Sequence, residues 1–487
     1  MILPPRSSHK RQQLLLFAVL TLGLVLRGYH YLRDRAVWQD EAGLILSVSS
    51  RNFSDLFFGR LDYHQAAPPL YLCLLKTVCL LLGDSSFALR LPSFVASCAA
   101  LLLFLFVARR LLTTQALPWA LLLFAVSEQL LWHASEAKAY SIDVLSAAIV
   151  LAMPACPGLG TLTRQLLAFS LLSPILLLSS YPACFLCTGA LFAYLPTVYR
   201  RKHLSIWLTY CGLALSVGAV MSWLVFGPIR NQHDAEIHSC WVACMPNWER
   251  PWTIPGWLCL STLEVCRYSC KPWGQILAIL AIPGISSLWR AGVRTHVRIM
   301  LIPVLLVVVA SFFHRYPFGG ARVMAFTIPA ILTLSAAGVP VVLTWLQHVA
   351  MRKRLGKLDC LPRAGSIGLI ALLLVPLISS LEQVIHPWRE ADIPEATSYV
   401  RGECRAADLI LGNDVAQQYY FRDLGKLFHL LNESPLPTPG GDRLWVVMTA
   451  ALPQAERVQL ASHLAPAGWH IYRHREFTLT TVLLFSR

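Results

Sequence analysis

Two adjacent carboxylates, Asp40 and Glu41, follow a tryptophan in the stretch AVWQDEAGL, just past the first long apolar run of the chain. A carboxylate held beside a membrane can act as a base toward a hydroxyl group. Further along stand Asp62 and His64 in LDYHQAAPP. Glu136, Lys138, Tyr140 and Asp143 follow in HASEAKAYSID, and Arg315 and Arg322 in FHRYPFGGAR. Together these types suit one chemistry: a base deprotonates an acceptor hydroxyl while cations hold a departing phosphate. Each alone has a plainer use. An acidic pair favours a helix N-terminus. Glu136 and Lys138 can be a solvated pair at a span end. Arginines at span ends reach for headgroups, a lone loop histidine usually has no chemical role, and Gly319-Gly320 most simply makes a turn. What favours the chemical reading is that all of these groups fall on one side of a membrane.

That sidedness follows from composition and charge placement. The 487 residues are 56% hydrophobic and 14% charged, with mean hydropathy +0.56. Soluble domains carry roughly a quarter charged residues, so the chain reads as a polytopic helical membrane protein. The net charge of +15 sits in short clusters between apolar runs rather than along one stripe. This is the pattern of cytoplasmic loops, and it argues against nucleic-acid binding. Arg6, Lys10 and Arg11 place the N-terminus inside, with an uncleaved first span near 14–26. Arg109-Arg110, Arg164, Arg200-Arg201-Lys202, Arg290 to Arg298 and MRKRLGK all fall inside if the chain has about eleven spans. The run after Pro68-Pro69 is short and carries Lys76, so residues 27–90 are expected to form a long external loop with helices lying at the interface.

The remaining loops then follow. If HASEAKAYSID is helical, Glu136, Tyr140 and Asp143 share one face at i, i+4 and i+7. Asp40 and Glu41 point about 100° apart on a helix, so one of the two is expected to face the reacting centre. Cys240, Cys244, Cys259, Cys266 and Cys270 cluster in an external loop, where a disulfide is expected without a readable pairing. The tryptophans Trp38, Trp241, Trp248, Trp252 and Trp257 are expected chiefly as interface anchors, with sugar platforms the alternative. Residues 1–380 are expected to form the membrane domain and 381–487 a small soluble α/β domain outside the cytoplasm, with strands at RLWVVMTA and FTLTTVLLF.

Read together, the motifs resemble the membrane-integral C-type (GT-C) glycosyltransferases, in the bacterial branch related to protein mannosyltransferases and lipopolysaccharide-core sugar transferases. WQDEAGLILSVSSRNFSDLF is similar to that family's first external-loop motif. LDYHQAAPPLYLCLLKTVCLLLGDSSFALRLPS is similar to the segment after it, and HASEAKAYSIDV to its Glu-x-Lys-x-Tyr-Ser-x-Asp pattern. YPFGGARVMAFTIPAILTLSAAG is similar to its late arginine-bearing loop. The resemblance implies Asp40 as catalytic base with Glu41 shaping the site. Substrate binding is expected among His64, Arg90, Glu136, Lys138, Tyr140, Asp143, Arg315 and Arg322, with Arg315, Arg322, His64 and Lys138 the candidate phosphate holders by their charge. The resemblance further implies a polyprenyl-phosphate sugar donor and inversion at the anomeric carbon. The acceptor would be an envelope glycolipid, polysaccharide or protein, met at the outer face of the inner membrane. A divalent metal is left open: Asp40 with Glu136 or Asp143 offers ligands, but no spacing dictates a set. The rival class is a transporter or flippase of a lipid-linked sugar. It would be expected to show repeat symmetry and polar groups near the midplane, and the sequence has neither.

Overall fold

The computed structural model describes residues 6–232, 239–352, 360–388, 390–431, 441–450, 453–462 and 468–487. Helices dominate because long Leu-, Val- and Ala-rich runs must satisfy their own backbone groups in hydrocarbon. Among the described residues seven helical segments are long and apolar enough to cross a membrane: Lys10–Leu32, Ser86–Leu111, Leu162–Ser179, Leu204–Gln232, Arg294–Phe312, Arg322–Val349 and Arg363–Ile385. The count of eleven also needs Ala183–Arg201 and the shorter apolar helices Leu117–Val126, Tyr140–Ala155 and Ile276–Arg290. Many outward side chains are large and apolar, among them Phe17, Leu171, Leu215, Phe226 and Ile282. Such a belt is stable only against lipid.

Helix contacts in this bundle rely on small residues. Gly284 of the Ile276–Arg290 helix lies against the Leu334 carbonyl of the Ile328–Arg352 helix, and Gly338 lies against the Leu280 carbonyl. A Cβ at either position would overlap backbone oxygen. Close approach of this kind holds helices together where no hydrophobic driving force acts between them. Gly284→Leu is therefore expected to destabilise the protein by about 1–3 kcal/mol or more, read as a lower midpoint of thermal unfolding in detergent. An unchanged midpoint would mean the two helices separate freely.

The loop between the first two long helices folds into three helices, Gln39–Ser50, Phe53–Phe58 and Pro69–Leu82. They share a core of Leu44, Ile45, Val48, Leu56, Leu72 and Leu75. The 14-residue Pro69–Leu82 helix has Pro at its first turn and buries Tyr71, Leu72 and Leu75 on this core. The last long helix runs on to Ile385, and the C-terminal part follows it. Its described residues form five strands: β1 (Leu409–Gly412), β2 (Phe428–Leu430), β3 (Arg443–Thr449), β4 (His470–Phe477) and β5 (Thr480–Ser486), in the order β2-β1-β3-β5-β4. β1 pairs in parallel with β2 and β3, whereas β5 pairs antiparallel with β3 and β4. The expected strands correspond to β3 and β5, and β1 lies between helices Ile393–Glu403 and Val415–Phe421 as expected. β2 and β4 were not expected.

This domain grips the segment that leads into Asp40. The Ala36 amide donates to Glu390 at 2.9 Å, the Val37 amide to Tyr420 Oη at 2.8 Å, and the Ser86 amide to Tyr419 Oη at 2.9 Å. The expected disulfide is absent among the described residues: Cys240, Cys244, Cys259, Cys266 and Cys270 are all free. Cys266 and Cys270 are instead buried in an apolar core with Leu277 and Leu280, where a thiol behaves as a small hydrophobe.

Candidate active site

The Gln39–Ser50 helix opens with both acids in its first turn, where negative charge complements the helix dipole. Its periodicity sends them to different places. Asp40 faces a cavity of about 480 Å³ that Tyr63, His64, Gln65, Lys138, Tyr140, Trp241 and Arg322 also line. Glu41 turns inward and is fully buried. There it accepts from Arg90 Nε at 2.7 Å and Arg90 Nη2 at 2.6 Å, and from the Ala137 amide at 2.8 Å. Arg90 also donates to Asp34 and to the Arg35 carbonyl, each at 2.8 Å. Glu41 and Arg90 thus line none of the cavities described here. They support the wall that carries Asp40.

Asp40 forms an ion pair with Arg322. The Arg322 guanidinium lies 4.9 Å from the centre of the Trp38 ring and 5.8 Å from that of Trp241, within the range of cation–π attraction. Lys138 is buried in the same wall and donates to Gln65 at 2.5 Å. Burial pushes its ammonium down to about 8, against the opposing pull of Asp40. Gly43 lets the loop approach: a Cβ there would stand 3.0 Å from Tyr63 Cβ and 3.2 Å from Gln65. Tyr63 and His64 both adopt left-handed backbone, with φ of 57° and 51°. That conformation is costly for non-glycine residues and is found at binding sites.

HASEAKAYSID is not one helix. The helix Glu128–Ala134 ends, a turn follows, and the next helix starts at Tyr140. Glu136, Tyr140 and Asp143 therefore do not share one helical face. The turn, closed by the Lys138 amide on the Glu136 carbonyl at 2.9 Å, points the two side chains apart. Glu136 is buried, with its carboxylate 2.5 Å from His133 Nδ1 and 3.5 Å from Arg35. Burial alone would raise its pKa, but His133 and then Arg35 outweigh that and hold it at about 2. His133 Nε2 lies 2.5 Å from Tyr268 Oη.

Two further cavities flank the first. Asp143, Tyr181, His314 and Arg315 line one of about 210 Å³, which shares Lys138, Tyr140 and Trp241 with the Asp40 cavity. Asp143 is buried, and its Oδ1 has no hydrogen-bond partner among the described residues. The other, of about 570 Å³, shares Trp241 and Arg322 with the Asp40 cavity. Asp62 is drawn away instead, paired on the surface with Arg51 at 2.7 Å. Sequence reasoning missed Gln65, Trp132, His133, Tyr268 and Trp388. Among the described residues no group of three or more His, Cys, Asp or Glu side chains could hold a metal ion. Asp40, Glu136 and Asp143 are spread over three cavities.

The fold is that of a polytopic helical membrane protein of the GT-C architecture, with the Asp40 cavity lined in part by the start of the short Gln39–Ser50 helix. The particular likeness is to ArnT from Cupriavidus metallidurans. Its apo structure matches at 13% identity with a TM-score of 0.55, covering 98% of each chain. Its structure bound to undecaprenyl phosphate matches at 14% identity with a TM-score of 0.52, covering 97% of each. No family model matches the chain, and no curated protein matches it by sequence.

Proposed function

We propose that the chain is a glycosyltransferase that moves a sugar from a polyprenyl-phosphate carrier to an envelope acceptor at the extracytoplasmic face of the inner membrane. The observation that carries the reading is the pairing of Asp40 with Arg322 beside buried Lys138, in a cavity large enough for a phosphate and a reacting hydroxyl. The ArnT neighbour with undecaprenyl phosphate bound supports the donor class. Arg322 and Lys138 hold the donor phosphate, and His64 lines the same space. The 210 Å³ cavity takes one sugar ring, and Asp143 Oδ1 accepts from one of its hydroxyls.

The reaction follows from these positions. When the phosphate takes Arg322, Asp40 loses its partner and is free to accept a proton. The acceptor oxygen attacks the anomeric carbon from the face opposite the phosphate, and its proton passes to Asp40. The bond from the anomeric carbon to the phosphate oxygen breaks with inversion. The electron pair leaves on polyprenyl phosphate, stabilised by Lys138 and Arg322.

The test is reconstitution into proteoliposomes with a panel of polyprenyl-phosphate sugars and total envelope acceptors. At least one pair is expected to give labelled, glycosylated product. Movement of the lipid across the bilayer without transfer would make the protein a flippase.

The state of Lys138 adds a pH prediction. An ammonium near pKa 8 is charged below that pH and neutral above it, so phosphate is held on the acid side. Because kcat/KM reports the free enzyme, it is expected to fall about tenfold per pH unit above about 8. Lys138→Arg stays charged and is expected to remove that falling limb. A limb that survives the substitution belongs to another group.

A further inference from the structure

The third cavity is not used by the reaction steps above. Trp38, Trp132, Trp241 and Trp388 form its walls, each half-buried. Trp248 and Trp252 behave differently: they are 53% and 74% exposed on the outside and line none of these cavities. The chamber also has a polar floor. Trp388 Nε1 donates to Glu128 at 3.3 Å, Lys271 Nζ stands 3.7 Å from Glu128, and Trp132 Nε1 donates to Glu136 at 3.2 Å. Trp38 Nε1 and Arg322 Nε have no acceptor among the described residues.

Charge and shape narrow the occupant. Each acid of the lining already has a cationic partner, Glu128 in Lys271 and Glu136 in His133 and Arg35, and Arg322 is paired with Asp40, so no unpaired charge is left to select a charged occupant. Two acids and two cations make it a poor home for a lipid tail. Among the described residues no strand lines it to pair with an extended peptide. A pyranose ring has C–H faces that pack on indole and hydroxyls that bond acids and amines at the rim, and a volume near 570 Å³ admits more than one ring.

We infer that this tryptophan-walled chamber is a binding site for a neutral saccharide, and that the saccharide belongs to the acceptor. The second half rests on the function proposed above. Arg322 borders both this chamber and the Asp40 cavity, so a hydroxyl reaching past Arg322 meets the base. The first half stands without any transfer chemistry. It narrows the acceptor from glycolipid, polysaccharide or protein to one that presents sugar.

The test reads occupancy, not turnover. The full-length protein in lipid nanodiscs, free of sugar detergents, is titrated with maltose, cellobiose and chitobiose while tryptophan fluorescence is followed. The tripeptide Gly-Ser-Gly and undecaprenyl phosphate are titrated separately. At least one disaccharide is expected to give a saturable change. Its affinity is expected to fall about tenfold in Trp388→Ala and in Glu128→Gln, with Trp388→Phe restoring most of it. The rescue separates a binding role from a folding one, because Trp388 also packs 4.6 Å from His30. Absence of a response to every disaccharide overturns the inference, as does a response equal in all variants. A Trp388-dependent response to the tripeptide would assign the chamber to a protein acceptor, and one to undecaprenyl phosphate would assign it to the donor. Saccharide binding in a protein that transfers no sugar would leave the chamber standing and remove the proposed function.

Discussion

Asp40→Asn is expected to lower sugar transfer by about three orders of magnitude, within the span that a positioned base contributes, while leaving the folded protein intact. Asparagine has the same shape and keeps an oxygen that can accept from Arg322, so the wall of the cavity survives. The ion pair it replaces is about a quarter to a third exposed, and such pairs contribute at most about 1 kcal/mol. What disappears is the group that takes the proton. A second effect separates a base from a structural residue. In the wild type the donor phosphate must displace Asp40 from Arg322, and a neutral amide competes less well. The donor is therefore expected to bind Asp40→Asn as tightly as the wild type or more so, even as kcat collapses. Turnover by the variant at the wild-type rate would remove Asp40 from the chemistry and move the search to Asp143. A loss carried wholly by weaker donor binding would make Asp40 a binding residue.

What the sequence disclosed here was helix content and the grouping of distant polar residues. Reading basic clusters as the cytoplasmic ends of apolar runs put Asp40, Lys138 and Arg322 on one expected side, and the three line one cavity. Residue period within a helix also separated Asp40 from Glu41. What period could not disclose was the break at 135–139, because no glycine or proline marks it. The turn is fixed by tertiary partners: Glu41 accepts from the Ala137 amide, and Ser141 Oγ donates to the His133 carbonyl at 2.8 Å. β4 escaped notice for a different reason. His470–Phe477 is mostly exposed and rich in His, Arg and Glu, a sheet edge with little apolar alternation to read. The tryptophan chamber draws on segments far apart in the chain, Trp38, Trp132, Trp241 and Trp388, which no local pattern connects.

Arg90→Met is expected to cost about 3–5 kcal/mol, since it strands a buried carboxylate. Arg90 and Glu41 are both almost wholly shielded from solvent, and their bond joins the Gln39–Ser50 helix to the Ser86–Leu111 helix. Among the described residues the other hydrogen-bond partner of Glu41 is the Ala137 amide, and a single amide cannot replace a guanidinium. Glu41→Gln is the informative companion. It leaves Arg90 with Asp34 and the Arg35 carbonyl and keeps an oxygen for Ala137, so its loss is expected to be smaller than that of Arg90→Met. The order wild type, Glu41→Gln, Arg90→Met should appear in thermal midpoints measured in one detergent. The same contact bears on function, because Ala137 precedes Lys138. Loosening it lets the buried amine drift from Gln65, so Glu41→Gln that remains folded is expected to bind the donor more weakly with kcat less affected than in Asp40→Asn. If Arg90→Met instead matches the wild type in stability, the Glu41 carboxylate has found water or a proton, and the wall behind Asp40 does not depend on this pair.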